Sequence, residues 1–239
     1  MGAGWVIDRN ALLVIAVLLA AVALAWTATP DGSDLDQRVR TVTAAAHVRP
    51  LRPAEVSPLL AEAIVSAEDE RFYDHHGLDS VGIARAVWHD LEWRCLCEGG
   101  STITQQLVKL TYFQDMDKVE RKLPGMAVAL KLESTRSKQQ ILADYLSVAP
   151  TGAGLTGARS ASCTYFGHDT ATLSVGEAAE LAGMVRAPSA YDPRYHPERA
   201  AARRHQVLLQ MQELGYIKPA ERAAADAEPV LSAGAGCRW

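Results

Sequence analysis

The sequence predicts an all-α domain behind a single N-terminal transmembrane helix. Three observations carry this. Beyond residue 57, apolar residues recur at helical spacing, and helix start and stop signals punctuate the chain repeatedly. No segment alternates long enough to make a strand, and no internal repeat is present. Residues 11–25 carry no polar or charged side chain.

That apolar run sits at the short end of what spans a bilayer, about 17–25 residues. Trp5 and Trp26 flank it at interfacial positions, Arg9 precedes it, and Asp31, Asp34 and Asp36 follow. The positive-inside bias then places residues 1–10 in the cytoplasm, residues 11–28 as the anchor and the rest outside. A cleaved secretory leader is the alternative, with Ala23 and Ala25 as small residues for cleavage. Both readings export the domain.

The 239 residues suffice for one full domain with a core. A formal charge of -4, a pI near 6.0 and no basic run interleaved with aromatics exclude a nucleic-acid partner as the first reading. Four cysteines, Cys95, Cys97, Cys163 and Cys237, suit the oxidising side. Three complete pairings are open; a bridge within Cys95-x-Cys97 would be strained, so pairing to Cys163 or Cys237 is favoured. Unpaired thiols are the competing reading. No second close Cys/His pair supports a structural zinc site.

Residues 29–50 read as a linker and extended lead-in, and a domain follows over 51–215. Ser57-Pro58 is an N-cap followed by an N1 proline. Leu59, Leu60, Ala63, Ile64 and Ala67 then form an apolar stripe ending at Glu68, where the negative end of the helix should raise the carboxyl pKa. Gly77 breaks the chain before a second helix over 83–91, and 92–100 is a loop. A helix over 102–112, capped by Ser101 or Thr102, places Gln105 and Lys109 on one face. Its Gly99-Gly100 approach can hold an anion on backbone N–H groups. Asp117 to Glu120 has capping-box spacing for a helix to Glu133, but Pro124-Gly125 demands a kink or a fresh start. Ser137 to Gln140 caps a helix to Leu146, and 151–157 is a Gly-rich loop. Ser174 to Glu177 caps a helix to about Arg186. Pro197 opens a long helix closed by Gly215, and 216–239 is an Ala-rich tail with one short helix.

Two blocks carry chemistry. Glu68-Asp69-x-x-Phe72-x-x-His75-x-Gly77 puts a carboxylate at a helix end, and Gly100-x-Thr102-x-Thr104-Gln105-Gln106 supplies hydroxyls and amides, with Lys109 one turn on. They resemble the first two signatures of the peptidoglycan glycosyltransferases, glycosyltransferase family 51. Arg121-Lys122 sits at the third signature, Lys138-x-x-Ile141-Leu142-x-x-Tyr145-Leu146 resembles the fourth, and Arg186-x-Pro188-x-x-Tyr191-x-Pro193 resembles the fifth. The resemblance spans roughly residues 51–211.

It implies a lysozyme-like helical domain of the monofunctional kind, held at the extracytoplasmic face of the cytoplasmic membrane. Such a domain polymerises lipid II into glycan strands. Glu68 would be the catalytic base for an inverting attack of a sugar 4-hydroxyl. Lys109, Arg121 and Lys122 would face the pyrophosphate, and Ser101, Thr102, Gln105 and Gln106 would position phosphate or sugar. The implied partners are lipid II, the nascent strand, membrane lipid and other cell-wall synthesis proteins. No cofactor is required outright, although a divalent cation such as Mg2+ is compatible with a pyrophosphate.

The departures are specific. Gly125 replaces the glutamate of the third signature, and Asp117 stands where the family has an arginine, with Lys118 beside it. Ser147 replaces an asparagine, and Pro150-Thr151 an aromatic-Gly pair. These leave open a homologue that binds lipid II or a cell-wall partner without turnover. A glycan-cleaving enzyme, which needs an acid to protonate a sugar leaving group, is a third reading. The stretch at Leu110, Tyr112 and Phe113 is either core or a membrane-dipping jaw.

Overall fold

The computed structural model describes residues 8–85 and 100–230. Among them the architecture is helical, and the only β feature is an isolated bridge between Pro150 and Thr156. Cys95, Cys97 and Cys237 lie outside the described residues, as does most of the helix expected over 83–91. The chain is helical from Ser80 to Arg85, where the first described stretch ends. Cys163 is disulfide-bonded, so the unpaired-thiol reading fails for that residue.

Helix α1 (Arg9–Ala28) covers the segment expected as an anchor. Leu13, Leu18, Leu19 and Leu24 stand exposed along it. By length and hydropathy counted over the described residues alone, no helix is long and apolar enough to cross a membrane. Lys131 closes the C-terminal end of α1, donating to the carbonyls of Trp26 (2.6 Å), Thr29 (2.8 Å) and Pro30 (3.3 Å).

The next segment departs from the expected linker. Residues 35–45 form α2 (Leu35–Ala45), and Leu35, Val39 and Thr43 are buried. Those three are four apart, one apolar stripe hidden between Asp, Gln, Arg and Thr; too few apolar residues mark it in sequence. Asp34 accepts from the Tyr112 hydroxyl at 2.7 Å, and Arg38 lies 4.3 Å above the same ring, fixing α2 to the body. Tyr112 is thus half-buried in a protein contact.

Helix α3 (Pro58–Glu68) opens as expected, with Ser57 accepting from the Leu60 amide. Helix α4 (Ile103–Thr111) is capped by Thr102 in a full capping box with Gln105. The expected helix from Asp117 does not form. The chain turns through 117–121, and α5 (Lys122–Thr135) begins afresh so that Pro124 falls in its first turn. There the missing N–H costs nothing, whereas a start at Asp117 would set the ring against a helical carbonyl. Helix α6 (Lys138–Val148) follows its Ser137 box, and α7 (Ala158–Phe166), not expected, starts behind the Gly-rich turn. Helices α8 (Val175–Arg186), α9 (Pro197–Glu213) and α10 (Pro219–Asp226) complete the chain.

The core joins α3, α8 and α9 on one side to α4, α5 and α6 on the other. Leu60, Ile64, Leu107, Leu132, Tyr145, Leu181 and Val207 are fully enclosed. Each aliphatic member contributes about 1.5–3 kcal/mol. Residues beyond 215 are held to this core: buried Arg204 pairs with Glu180 and donates to the carbonyls of Asp226, Glu228 and Pro229.

Candidate active site

Glu68 is the last residue of α3, at the floor of a cavity of about 420 Å³. Burial raises its pKa, opposed by the Gln106 hydrogen bond and by the charges of Arg203 and Arg186. The direction matches the sequence expectation, but desolvation and not the helix end is the main cause. Gln106 Nε2 donates to Glu68 Oε2 at 2.8 Å, and Tyr145 donates its hydroxyl to Gln106 Oε1 at 3.0 Å. This relay fixes one carboxylate oxygen. The other, Oε1, has no hydrogen-bond partner among the described residues.

Asp69 performs a different task. It is buried, accepts the Ile103 amide at 2.9 Å, and meets His75 Nε2 through both oxygens at 3.0 and 3.1 Å. One of the free amides at the start of α4, that of Ile103, is thereby partnered by a carboxylate. Beyond His75, Lys138 pairs with buried Glu133 at 2.6 Å, and Thr104 donates to the same carboxylate. Gly77 lets the turn close: at φ +93° its Cα sits so near α5 that a Cβ would lie 2.9 Å from the Ala129 carbonyl. Thr102 then donates to the Gly77 carbonyl at 2.8 Å. The loop after the base is therefore pinned to three helices.

A second cavity, of about 240 Å³, lies on the other side of Ser101, which lines both. Gln105, Gln106, Lys109, Phe113, Lys118, Arg121, Lys122 and Gly125 line it. Four cations and, among the described residues, no carboxylate make this a seat for an anion. The donor set does not fit a divalent cation, which takes carboxylate and carbonyl oxygens.

A family model described as Transglycosylase matches residues 36–212. The chain belongs to the transglycosylase family. Penicillin-binding protein 1A of Vibrio cholerae is 41% identical over 182 residues, 76% of this chain and 22% of the relative. Penicillin-binding protein 1A of Streptococcus pneumoniae is 41% identical over 174 residues, 72% of this chain and 24% of the relative. Penicillin-binding protein 1F of Bacillus subtilis is 38% identical over 176 residues, 74% of this chain and 25% of the relative. The transglycosylase chain thus spans about a quarter of the length of these curated relatives. The crystal structure of penicillin-binding protein 1A from Haemophilus influenzae covers 78% of this chain and 18% of its own, at 24% identity and a TM-score of 0.48.

The structure places the sequence-predicted residues in two groups. Glu68 and Thr102 line the first cavity; Lys109, Arg121, Lys122, Gln105 and Gln106 line the second; Ser101 borders both. Thr102 is almost fully buried with its hydroxyl spent on Gly77 and the helix cap, and Gln105 Oε1 is held by the Thr102 amide at 3.0 Å. Arg121 donates to the Met116 carbonyl at 2.6 Å. Lys118 occupies the second cavity where Asp117 had suggested a missing cation.

Sequence reasoning gave no role to Arg186, Arg203 and Gln210. Arg186 and Gln210 line the first cavity. Arg203 is buried, with Nε and Nη2 unpartnered among the described residues, and its pKa is lowered by burial and by Arg186 while Glu68 opposes. Gly183 makes room for it, since a Cβ there would meet Arg203 Cγ at 2.8 Å. The signal was present. Ala200, Arg203, Arg204, Val207, Leu208 and Met211 form the buried stripe of α9, so two arginines occupy apolar-stripe positions.

Proposed function

We propose that this transglycosylase is a peptidoglycan glycosyltransferase that polymerises lipid II into glycan strands. The observation that carries the reading is the meeting, at Ser101, of a buried carboxylate and a cation-lined cavity. The acceptor sugar's 4-hydroxyl lies against Glu68, which takes its proton as the oxygen attacks the anomeric carbon. A carbon–oxygen bond forms with inversion as the bond to the lipid pyrophosphate breaks. The leaving group departs as an anion facing Lys109, Lys118, Arg121 and Lys122, so it needs charge stabilisation more than a proton. Burial supports the base: a raised pKa makes Glu68 a stronger proton acceptor near neutral pH.

Membrane attachment, a lysozyme-like fold and an extracytoplasmic site belong to the same proposal. Helix α1 has 20 residues with exposed leucines and valines. Cys163 in a disulfide suits an oxidising compartment.

Incubating the detergent-solubilised chain with labelled lipid II and resolving products by gel tests the reading. Polymer from the native chain and none from Glu68→Gln is the expected result. Binding of lipid II without polymer would replace it with the non-catalytic reading, and lysis of purified sacculi with the hydrolase.

A further inference from the structure

We propose that Ser66 and Gln210 join Glu68 in a three-point polar floor that reads the acetamido group of the acceptor sugar. The inference rests on the glycosyltransferase reading above and deepens it. Ser66 Oγ, Glu68 Oε1 and Gln210 Oε1 are buried atoms with no hydrogen-bond partner among the described residues. All three residues line the same cavity. Buried polar groups are almost always paired in folded proteins, so three open ones around a single cavity point to a ligand that pairs them.

The placement is built into the packing. Ser66 and Glu68 lie on the last turn of α3, and Gln210 comes from α9, which packs against it. Ser66 is 4% exposed. A helical hydroxyl this deep ordinarily bonds the carbonyl four residues back, as Thr43, Thr111, Ser147 and Ser160 all do in this chain. Ser66 does not, and its oxygen is left without a partner among the described residues.

The three groups specify complementary chemistry. Glu68 and Gln210 present acceptors, and Ser66 presents a hydroxyl that can donate. A 2-acetamido sugar offers the matching set: a hydroxyl for Glu68, an amide N–H for Gln210 and an amide carbonyl for the Ser66 hydroxyl. The volume of about 420 Å³ is that of a small-ligand site. Four carboxylates, Glu68, Asp69, Glu70 and Asp79, stand on its wall with two arginines, Arg85 and Arg186, a poorer seat for an anion than the cation-lined cavity beside it.

The experiment uses the full chain in detergent, with lipid II blocked at its 4-hydroxyl as donor. Unblocked lipid II, or its N-deacetylated form, is the varied acceptor. Ser66→Ala and Gln210→Leu are expected to raise the acceptor KM about ten-fold each, one lost hydrogen bond to a bound ligand, with kcat held within about three-fold. The native chain should use the deacetylated acceptor less well, because it lacks the carbonyl that Ser66 meets, and Ser66→Ala should discriminate less between the two acceptors. The Ser66→Ala melting temperature should hold or rise, because it removes an unpaired buried group. Native KM and native discrimination in both variants would overturn the floor, as would kcat and melting temperature falling together at constant KM. If the native chain binds lipid II without turnover, unchanged dissociation constants in both variants overturn it. A native chain that neither polymerises nor binds lipid II overturns the glycosyltransferase reading itself.

Discussion

The two cavities on either side of Ser101 are built on opposite principles. Around Glu68 each polar partner is fixed: Gln106 is held by Tyr145, and Asp69 by His75 and the start of α4. Around Lys109 the cations are mostly exposed, and among the described residues only Arg121 is tied to a carbonyl. A proton acceptor must be desolvated and aimed, so its surroundings are rigid and specific. A pyrophosphate is large and doubly charged, and several mobile cations stabilise it without one geometry. The first arrangement tolerates little substitution; the second tolerates rearrangement, as Lys118 beside Asp117 illustrates.

The sharpest way to break the contrast is Glu68→Gln, which should cost roughly 10²–10⁴-fold in polymerisation rate. It should also stabilise the fold at neutral pH. Burial raises the folded pKa of Glu68, so the native state holds the proton more tightly than the unfolded chain. The associated stability is full below the unfolded pKa and is lost as pH rises through the raised folded value. At neutral pH the ionised side chain is a cost that the amide removes. Thermal melts at neutral pH should show Glu68→Gln above the native chain; a lower melting temperature would contradict the desolvation account.

On the cation side, Lys109→Met and Lys118→Met should each reduce kcat/KM about 10–100-fold, less than an aimed transition-state donor is worth. If the cations act as an interchangeable set, the double variant loses less than the product of the two single losses. Strict multiplicativity would mean that each holds a separate group.

Arg203 acts on the Glu68 side alone: its charge reaches Glu68 without lining either cavity. Arg203→Met removes a charge that lowers the Glu68 pKa, so the acid limb of the kcat/KM profile should move to higher pH. The plateau at high pH should change less than the limb. An unmoved limb would reduce Arg203 to packing. Tyr145→Phe removes only the second bond of the relay and should cost about five-fold in kcat, in line with about 1 kcal/mol for one hydrogen bond.

Much of this division was legible beforehand, for local reasons. The caps at Ser57, Ser137 and Ser174 and the proline at 197 act within one turn, so the helices they open stand where the spacing puts them. Glu68 and Lys109 could be singled out because the two blocks lie close to them in the chain. Helix α2 was not legible: its buried stripe is three residues between polar ones, and only docking against α4 and α6 pays its ordering entropy. Arg203 and Gln210 were missed because their meaning depends on α9 crossing α3, a tertiary fact. The place of Lys118 is not legible in sequence either, since a turn at 117–121 decides which side chain enters the cavity.

The mildest perturbation tests that turn-and-cavity side directly. A Cβ at Gly125 meets nothing within 4 Å, and the position lies in the first turn of α5. Gly125→Glu should therefore fold. Replacing a helical glycine gains about 0.5–1 kcal/mol, and a carboxylate near a helix start adds a few tenths. For a domain of this size the melting temperature should rise by about 2–4 °C. The new charge offsets part of the cationic field, so the donor KM should rise about two- to three-fold, an effect that fades as salt screens it. A large loss of stability would show that the space beside Gly125 is filled, and a KM change insensitive to salt would show that the glutamate acts by contact and not by charge.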